Sequence, residues 1–207
     1  TIAANSVAKG PRAGHTILFG TSASQGIAKY MYKDLPYDPI EDFSAVGYVG
    51  NVTVGVFASE KSGLRSAEQV LAAARARPGL VNYGSPGIGS VSHLAAELFA
   101  NRTQIQMMHV PYAGTVPQMT DMVGGQTQVG FTGLASGITY THDGRVKLIA
   151  VAARNRSKNH PDVPALSELV PGYDAPAWLG IVAPRGTPAE ALGKQFGPVG
   201  VLAGRGG

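Results

Sequence analysis

The sequence predicts a globular α/β protein built on a doubly wound, largely parallel sheet. The chain has 207 residues, of which 44% are hydrophobic and 14% charged, with 28 Gly and 14 Pro. This composition is typical of a folded domain with many turns and not of a disordered chain. The middle of the chain alternates strand-like and helix-like segments, which is the pattern of strands joined by crossover helices.

The first third of the chain contains one strand-to-helix unit and a long extended region. We predict a strand at His15–Gly20, a helix at Ile27–Tyr32, an apolar β-rich stretch at Phe43–Ala58 and a helix at Ser66–Arg77. Ser66 is a favourable N-cap for the last of these helices, and Pro78 with Gly79 ends it.

The middle of the chain carries the regular alternation. Predicted strands are Leu80–Tyr83, Ile105–Val110, Thr127–Thr132 and Val146–Ala152, and predicted helices are Val91–Ala100, Pro117–Val123 and Ala135–Thr141. A strand at Ala177–Ala183 then returns towards the first part of the chain. Two α/β units joined by extended crossings would form a cleft, and such domain interfaces favour small-molecule sites.

The loop after the Leu80–Tyr83 strand is the strongest candidate site. The segment Val81–Ala96 reads VNYGSPGIGSVSHLAA, with a loop rich in Gly and Ser before a helix that Ser90 can cap. Backbone amides at a helix start, together with the positive end of the helix dipole, form a seat for a small anion. The Gly-Lys-Ser/Thr ending of a nucleotide-binding P-loop is absent, so a carboxylate is favoured over a triphosphate.

Composition and residue spacing exclude several other classes of site. The formal net charge is only +4, and the basic run Arg154–Lys158 lacks interleaved aromatic residues, so we predict a solvated loop and no nucleic-acid partner. The chain has no Cys, and its five His are scattered, so we predict no metal and no cofactor. No apolar run reaches membrane-spanning length, and no signal peptide is present in the chain.

A dinucleotide-dependent α/β enzyme is the alternative function, using the Gly84–Ser90 loop as its glycine-rich turn. Such a unit needs an acidic residue near the end of the next strand, where this chain has His109-Val110-Pro111-Tyr112. Acyl transfer by Ser85 or Ser90 with His93 is disfavoured because no G-x-S-x-G turn and no orienting acid accompany them.

Five motifs occur in order along the chain. The segment from Leu35 to Phe43 is similar to the signature LPYDPxxDF, and Asn82–Ala95 to the loop NYxSxGxGSxxHLA. His109–Gly114 resembles HVPYxG, Asp162–Pro164 resembles the turn PDVPT, and Trp178–Pro188 resembles the return strand AWxGxxAPxGTP. Together these motifs resemble those of Bug-type receptors of tripartite tricarboxylate transporters.

The resemblance implies a periplasmic-binding-protein type II fold (a Venus flytrap) with two doubly wound lobes. Residues 1–57 and 178–207 would form the first lobe and 58–177 the second. It also implies a periplasmic receptor without enzymatic activity, monomeric when full length. The receptor would capture a small organic acid in the cleft between its lobes and deliver it to the membrane permease subunits of the transporter.

Candidate ligand-binding residues come from the loops that the resemblance and the local sequence both indicate. They are Thr21, Ser22, Ser85, Gly87, Gly89, Ser90, His93, Tyr112, Gly114 and Thr132. For Ser90, His93 and Tyr112 a purely structural role is the alternative: a helix cap, a structural histidine and a core aromatic residue respectively.

The resemblance leads us to expect a fragment with an incomplete first lobe. The family's first strand and its glycine-rich loop lie upstream of the position matched by Thr1. After Ala191 the family continues with helices, whereas Leu192–Gly207 is glycine-rich and shows no helical periodicity. We therefore expect irregular structure from Leu192 onwards.

Overall fold

The computed structural model describes residues 2–196, and side chains are described up to residue 193. The strands are β1 Leu18–Thr21, β2 Phe43–Val52, β3 Val54–Ser59, β4 Asn82–Ser85, β5 Met108–Pro111, β6 Val129–Gly133, β7 Val146–Val151 and β8 Ala177–Pro184. The α-helices are α1 Ile2–Ala8, α2 Ala28–Met31, α3 Ala67–Ala76, α4 Val91–Thr103, α5 Thr115–Gly124, α6 Leu134–Gly137, α7 Leu166–Leu169 and α8 Ala189–Phe196. A π-helical turn spans Ala23–Ile27, and short 3-10 turns span Glu60–Ser62 and Ile138–Tyr140.

The chain divides into two compact units. The first contains the described residues up to Asn51 and those from Ala177 onwards, and the second contains Val52–Pro176. The division falls before Val52, the last residue of β2, so β3 lies entirely in the second unit.

The second unit contains a five-stranded sheet in the order β5-β4-β6-β3-β7. β4 pairs in parallel with β5 and β6, whereas β3 pairs antiparallel with β6 and β7. The sheet is therefore less uniformly parallel than the sequence predicts, because β3 enters it from the preceding β2 and not from a crossover helix. All six residues of β3 are buried, as expected for a central strand covered on both faces.

Helices cover both faces of this sheet. Val56 of β3 and Phe131 of β6 face a core that α3 and α4 complete with Val70 and Phe99. Phe57 of β3 faces the other side, where Met119 and Met122 of α5 cover it. A doubly wound unit results, with successive β3 residues in opposite cores.

The first unit has a three-stranded sheet in the order β1-β8-β2, with β1 and β8 antiparallel. Its core includes Tyr37 and Phe43, whose rings meet edge to face at 5.8 Å. The carboxylate of Asp42 accepts the amide of Asp38 at 2.7 Å and closes the turn between them. The Tyr-Asp-Pro motif at this turn thus has a structural role, and the Tyr37 hydroxyl donates to the Ser24 carbonyl.

Three segments differ from the sequence-based expectations. α1 was not predicted, and Ala4 buries its methyl group in the first unit's core. The short helix α7 was not predicted either, whereas the β-rich stretch Phe43–Ala58 forms β2 and most of β3. The helix α8 continues through Phe196, so the expected irregular structure from Leu192 is wrong for 192–196. Leu192 is buried beside Val46. This tertiary contact stabilises a helix that the sequence periodicity does not predict. Residues 197–207 lie outside the described part.

No helix within residues 2–196 combines the length and the apolar composition that crossing a bilayer requires.

We predict that Gly137→Ala destabilises the second unit. A Cβ at Gly137 would lie 2.4 Å from the Phe57 ring and 2.8 Å from the Thr132 methyl, both on fully buried side chains. Such overpacking costs about 1–3 kcal/mol of unfolding free energy. Urea denaturation followed by circular dichroism measures the loss.

The matched control for this substitution is Gly124→Ala. Gly124 is also helical, but a Cβ at this position would meet only the Gln126 side chain, at 4.0 Å. Gly124→Ala should be neutral or slightly stabilising. Equal stability of the two variants would contradict the proposed packing around Phe57.

Candidate functional site

Three loops of the second unit leave the same edge of the sheet. β4 pairs in parallel with β5 on one side, where Ser85 is opposite Pro111, and with β6 on the other. The carboxyl ends of these strands therefore lie side by side and lead into α4, α5 and α6. This edge is where open α/β sheets bind ligands.

The β4–α4 loop depends on two glycines with positive φ. Gly87 has φ +145° and Gly89 has φ +74°, conformations that side chains with a Cβ rarely adopt. Ser90 is the N-cap of α4, as predicted, and its Oγ accepts the His93 amide at 3.2 Å. Gly84, by contrast, is required because a side chain has little room here. A Cβ at this position would lie 3.0 Å from the buried Gln118 side chain.

The amides of Gly89 and Ser90 are occupied within the loop. The Gly89 N–H donates to His93 Nδ1 at 3.2 Å, and the Ser90 N–H donates to the Gly87 carbonyl at 3.2 Å. In this structure these two amides are therefore not free donors at the helix start. These two hydrogen bonds shape the loop before α4.

The amides without a hydrogen-bond acceptor in the described part of the chain lie beside them. At α4 they belong to Ile88, Val91 and Ser92. At α5 they belong to Thr115 and Val116, since its N-cap Gly114 has no side chain to accept them. Two helix starts at one end of the sheet thus carry N–H donors without acceptors among the described residues.

A stack of aromatic rings lies under the β4–α4 loop. The His93 and His109 rings are 4.1 Å apart between centroids and 19° from parallel. Tyr83 stacks on the other side of His109 at 4.8 Å, and its hydroxyl donates to the Glu97 carboxylate. His109 was not proposed as a site residue. Its place on β5 opposite Tyr83 follows from strand register, which the sequence does not give.

Both imidazoles are held neutral. Burial lowers the pKa of His93, an effect that Glu97 partly opposes. Burial also lowers the pKa of His109, and the neighbouring His93 lowers it further. Burial and the Glu97 hydrogen bond raise the pKa of Tyr83 well above its usual value, so that its hydroxyl remains a donor.

Ser85 is a fully buried residue at the end of β4. Its Oγ lies 2.8 Å from His109 Nε2 and 3.2 Å from the Gly87 carbonyl. These contacts join the loop to β5, so Ser85 is in place to position the loop from beneath.

Tyr112 lies in the loop between β5 and α5, and Thr132 lies near the end of β6. The Tyr112 hydroxyl donates to Asp121 of α5 at 3.0 Å, and burial together with Asp121 raises the pKa of Tyr112 to about 12. This contact ties the half-buried Tyr112 side chain to α5. Thr132 is fully buried, and its hydroxyl lies 2.9 Å from the Thr115 hydroxyl at the start of α5.

Gln118 holds the edge together from inside. Its Nε2 donates to the Gly84 carbonyl at 3.0 Å and to the Phe131 carbonyl at 3.1 Å, while the side chain is fully buried. It bridges β4 and β6 and anchors α5. The sequence offered a weak signal for it, a polar residue on the apolar face of an amphipathic helix.

Thr21 and Ser22 lie in the first unit, at the end of β1. The Thr21 amide and hydroxyl both bond to the Ser24 hydroxyl, at 3.0 Å and 3.3 Å. Ser22 is buried, and its Oγ has no hydrogen-bond partner in the described structure. Among residues 2–196 no group of three or more His, Asp or Glu side chains is placed to hold a metal ion.

Solved structures with the same architecture include transport receptors. A Rhodopseudomonas palustris protein solved with adipate is 31% identical, with a TM-score of 0.88 over 93% of this chain and 65% of that one. MatC from the same organism, solved with malate, is 29% identical, with a TM-score of 0.85 over 94% of this chain and 66% of that one. The periplasmic binding protein BugD is 26% identical, with a TM-score of 0.85 over 93% and 64%.

Curated relatives are similarly close in sequence. A UPF0065 protein of Bordetella bronchiseptica is 34% identical over 192 residues, which cover 93% of this chain and 57% of the relative. BugT of Bordetella pertussis is 30% identical over 193 residues, covering 92% and 59%. The chain thus spans a little under three fifths of the length of these relatives. The model of the tripartite tricarboxylate transporter family receptor, TctC, matches residues 1–197, and the chain belongs to this family.

Proposed function

We propose that this protein is the solute receptor of a tripartite tricarboxylate transporter and binds the carboxylate of a small organic acid. The observation that carries the proposal is the uncharged sheet edge where amides at the starts of α4 and α5 have no acceptor among the described residues. A carboxylate there gains charge-assisted hydrogen bonds and the favourable field of two helix dipoles. Relatives solved with adipate and malate support the ligand class.

The location and partners follow from the family. A receptor of this family works in the periplasm and transfers its ligand to membrane permease subunits, and we propose both for this chain. Its full-length form is proposed to act as a monomer.

The alternative of a dinucleotide-dependent enzyme has less support. The end of β5 carries Pro111 and Tyr112 and not an acid for a ribose hydroxyl. Ser85 is buried against His109 rather than exposed as a nucleophile, and the matching family is one of receptors.

The hydrocarbon part of the ligand is proposed to contact Ile88 and Val116. These apolar side chains are 65% and 66% exposed, and each belongs to a residue whose own amide has no acceptor among the described groups. A ligand whose carboxylate binds these amides would place its first methylene groups beside the Ile88 and Val116 side chains.

We predict that Gly89→Val abolishes carboxylate binding. Valine at φ +74° would force the loop to rearrange and would turn the Ile88 and Val91 amides away. Each lost hydrogen bond to a charged group costs roughly 1.5–3 kcal/mol, so the affinity for adipate or malate should fall at least about tenfold. Isothermal titration calorimetry measures the change.

Gly63→Val is the matched control. Gly63 has φ +71° and nothing within 4 Å of its Cβ position, and it follows β3, which runs opposite to β4. It therefore lies towards the other edge of the sheet. Both variants should lose similar stability, but only Gly89→Val should lose affinity; equal affinities would refute the loop assignment.

Ser90→Ala should weaken both folding and binding. Losing an N-cap costs about 1 kcal/mol of unfolding free energy. Ser66→Ala removes an equivalent cap, since its side chain accepts the Gln69 amide at 3.3 Å at the start of α3. Thermal denaturation should show similar losses for the two variants. Calorimetry should show weaker adipate binding for Ser90→Ala alone, and unchanged binding by both variants would count against the α4 start as the site.

Binding should depend weakly on salt. The loops 85–91, 111–116 and 132–136 contain no Lys or Arg, so recognition rests on fixed dipoles rather than mobile charges. Between about 0.05 M and about 0.5 M NaCl, the Kd for adipate should rise less than about threefold. A much steeper rise, measured by calorimetry at several salt concentrations, would point to a cationic side chain at the site.

A further inference from the structure

We propose that His93 is a positioning residue for the carboxylate loop and that it holds the loop in its binding shape only while its imidazole is neutral. The inference rests on the function proposed above and adds a pH dependence to it. The contact that carries it is the hydrogen bond from the Gly89 N–H to His93 Nδ1, at 3.2 Å.

This contact fixes the tautomer of His93. Because Nδ1 accepts a hydrogen bond, it carries no proton, and the neutral ring must carry its proton on Nε2. Nε2 lies 3.9 Å from the Glu97 carboxylate, which favours that arrangement. Protonation of His93 would add a hydrogen to Nδ1 and place two donors, Nδ1–H and the Gly89 N–H, against each other.

The loop would then lose the contact that fixes its shape. Gly89 lies between Ile88 and Ser90, so turning its amide away also moves the Ile88 amide and the cap of α4. The same residues present the donors proposed to hold the carboxylate. A protonated His93 therefore disrupts the site without touching the ligand.

A cationic His93 ring would also attract the anionic ligand. The groups around His93 make this attraction weaker than the loss of loop geometry. The ionisable groups facing it are Glu97 on its own helix, His109 on β5 and, beyond His109, Tyr83 on β4. The Glu97 carboxylate would neutralise most of the imidazolium charge. His109, stacked at 4.1 Å, opposes a second charge in the pair. Loss of loop geometry is then the dominant effect, and affinity should fall in acid.

The direction of the titration follows from burial. Both imidazoles have a pKa below the ordinary value, so the neutral form is favoured in the folded protein. The stability they contribute is fully present above the unfolded pKa of about 6.5 and decreases as the pH falls below it. The loop should accordingly be intact at neutral pH and open in mild acid.

The first test follows the loop itself, in the 207-residue chain without ligand. Two-dimensional NMR should show the Gly89 amide resonance shifting together with the His93 ring signals between about pH 7.5 and about pH 5. A Gly89 resonance that stays unchanged while His93 titrates would overturn the proposal. This measurement does not depend on which carboxylate binds, so it separates failure of this inference from failure of the proposed function.

The second test compares adipate affinity at the two ends of that range. His93→Asn keeps an acceptor at the position of Nδ1, because the Asn amide oxygen replaces it, and removes the titration. On acidification, the affinity of the unmodified chain should fall roughly threefold to tenfold more than that of His93→Asn. Comparing the two proteins cancels the effect of the ligand's own protonation. Parallel pH profiles, or a rise in affinity in acid, would overturn the proposal.

Two further variants complete the design. His93→Leu removes the acceptor, so its affinity should be low and its pH profile flat. His142→Asn changes an exposed histidine of the same unit and should keep the unmodified profile. A flattened profile in His142→Asn would assign the pH dependence elsewhere and overturn the role of His93.

Discussion

The parallel pairing of β4 with both β5 and β6 is the constraint on which the site depends. It brings the ends of three strands to one edge, so that the starts of α4 and α5 lie side by side. Gln118 reinforces this arrangement from within, because one buried amide group donates to carbonyls on β4 and β6. Losing that bridge would remove a buried donor from both carbonyls, and a buried polar group left unsatisfied costs about 1–3 kcal/mol.

The proposed site would hold an anion without using a formal positive charge. Its donors are backbone amides in loops that lack Lys and Arg, and its shape comes from hydrogen bonds among loop residues. Such fixed dipoles need little reorganisation when a carboxylate binds. This favours binding of the carboxylate group, which many organic acids share. Selectivity among acids then rests on side chains such as Ile88 and Val116, which extend beyond the amides.

The histidine stack connects this shape to the core of the second unit. His93 accepts from the loop, His109 contacts Ser85 at the end of β4, and Tyr83 lies beneath both in a buried position. A helix, two strands and a loop therefore meet in one set of hydrogen bonds and ring contacts. The pH dependence proposed for His93 follows from this arrangement, since burial lowers the imidazole pKa and the loop needs an unprotonated acceptor.

The sequence by itself determined the α/β class, most elements of the second unit, the Ser66 and Ser90 caps and the family. These features depend on local patterns: apolar periodicity, capping residues and short motifs whose geometry needs only neighbouring residues. Tertiary structure alone decided that β3 runs antiparallel, that Leu192 is buried and that α8 continues beyond it. It also decided that His109 stacks on His93 and that the Gly89 N–H donates to His93 Nδ1. These features arise from contacts between residues distant in the chain or from the rotamer of one side chain, and neither is encoded in local periodicity.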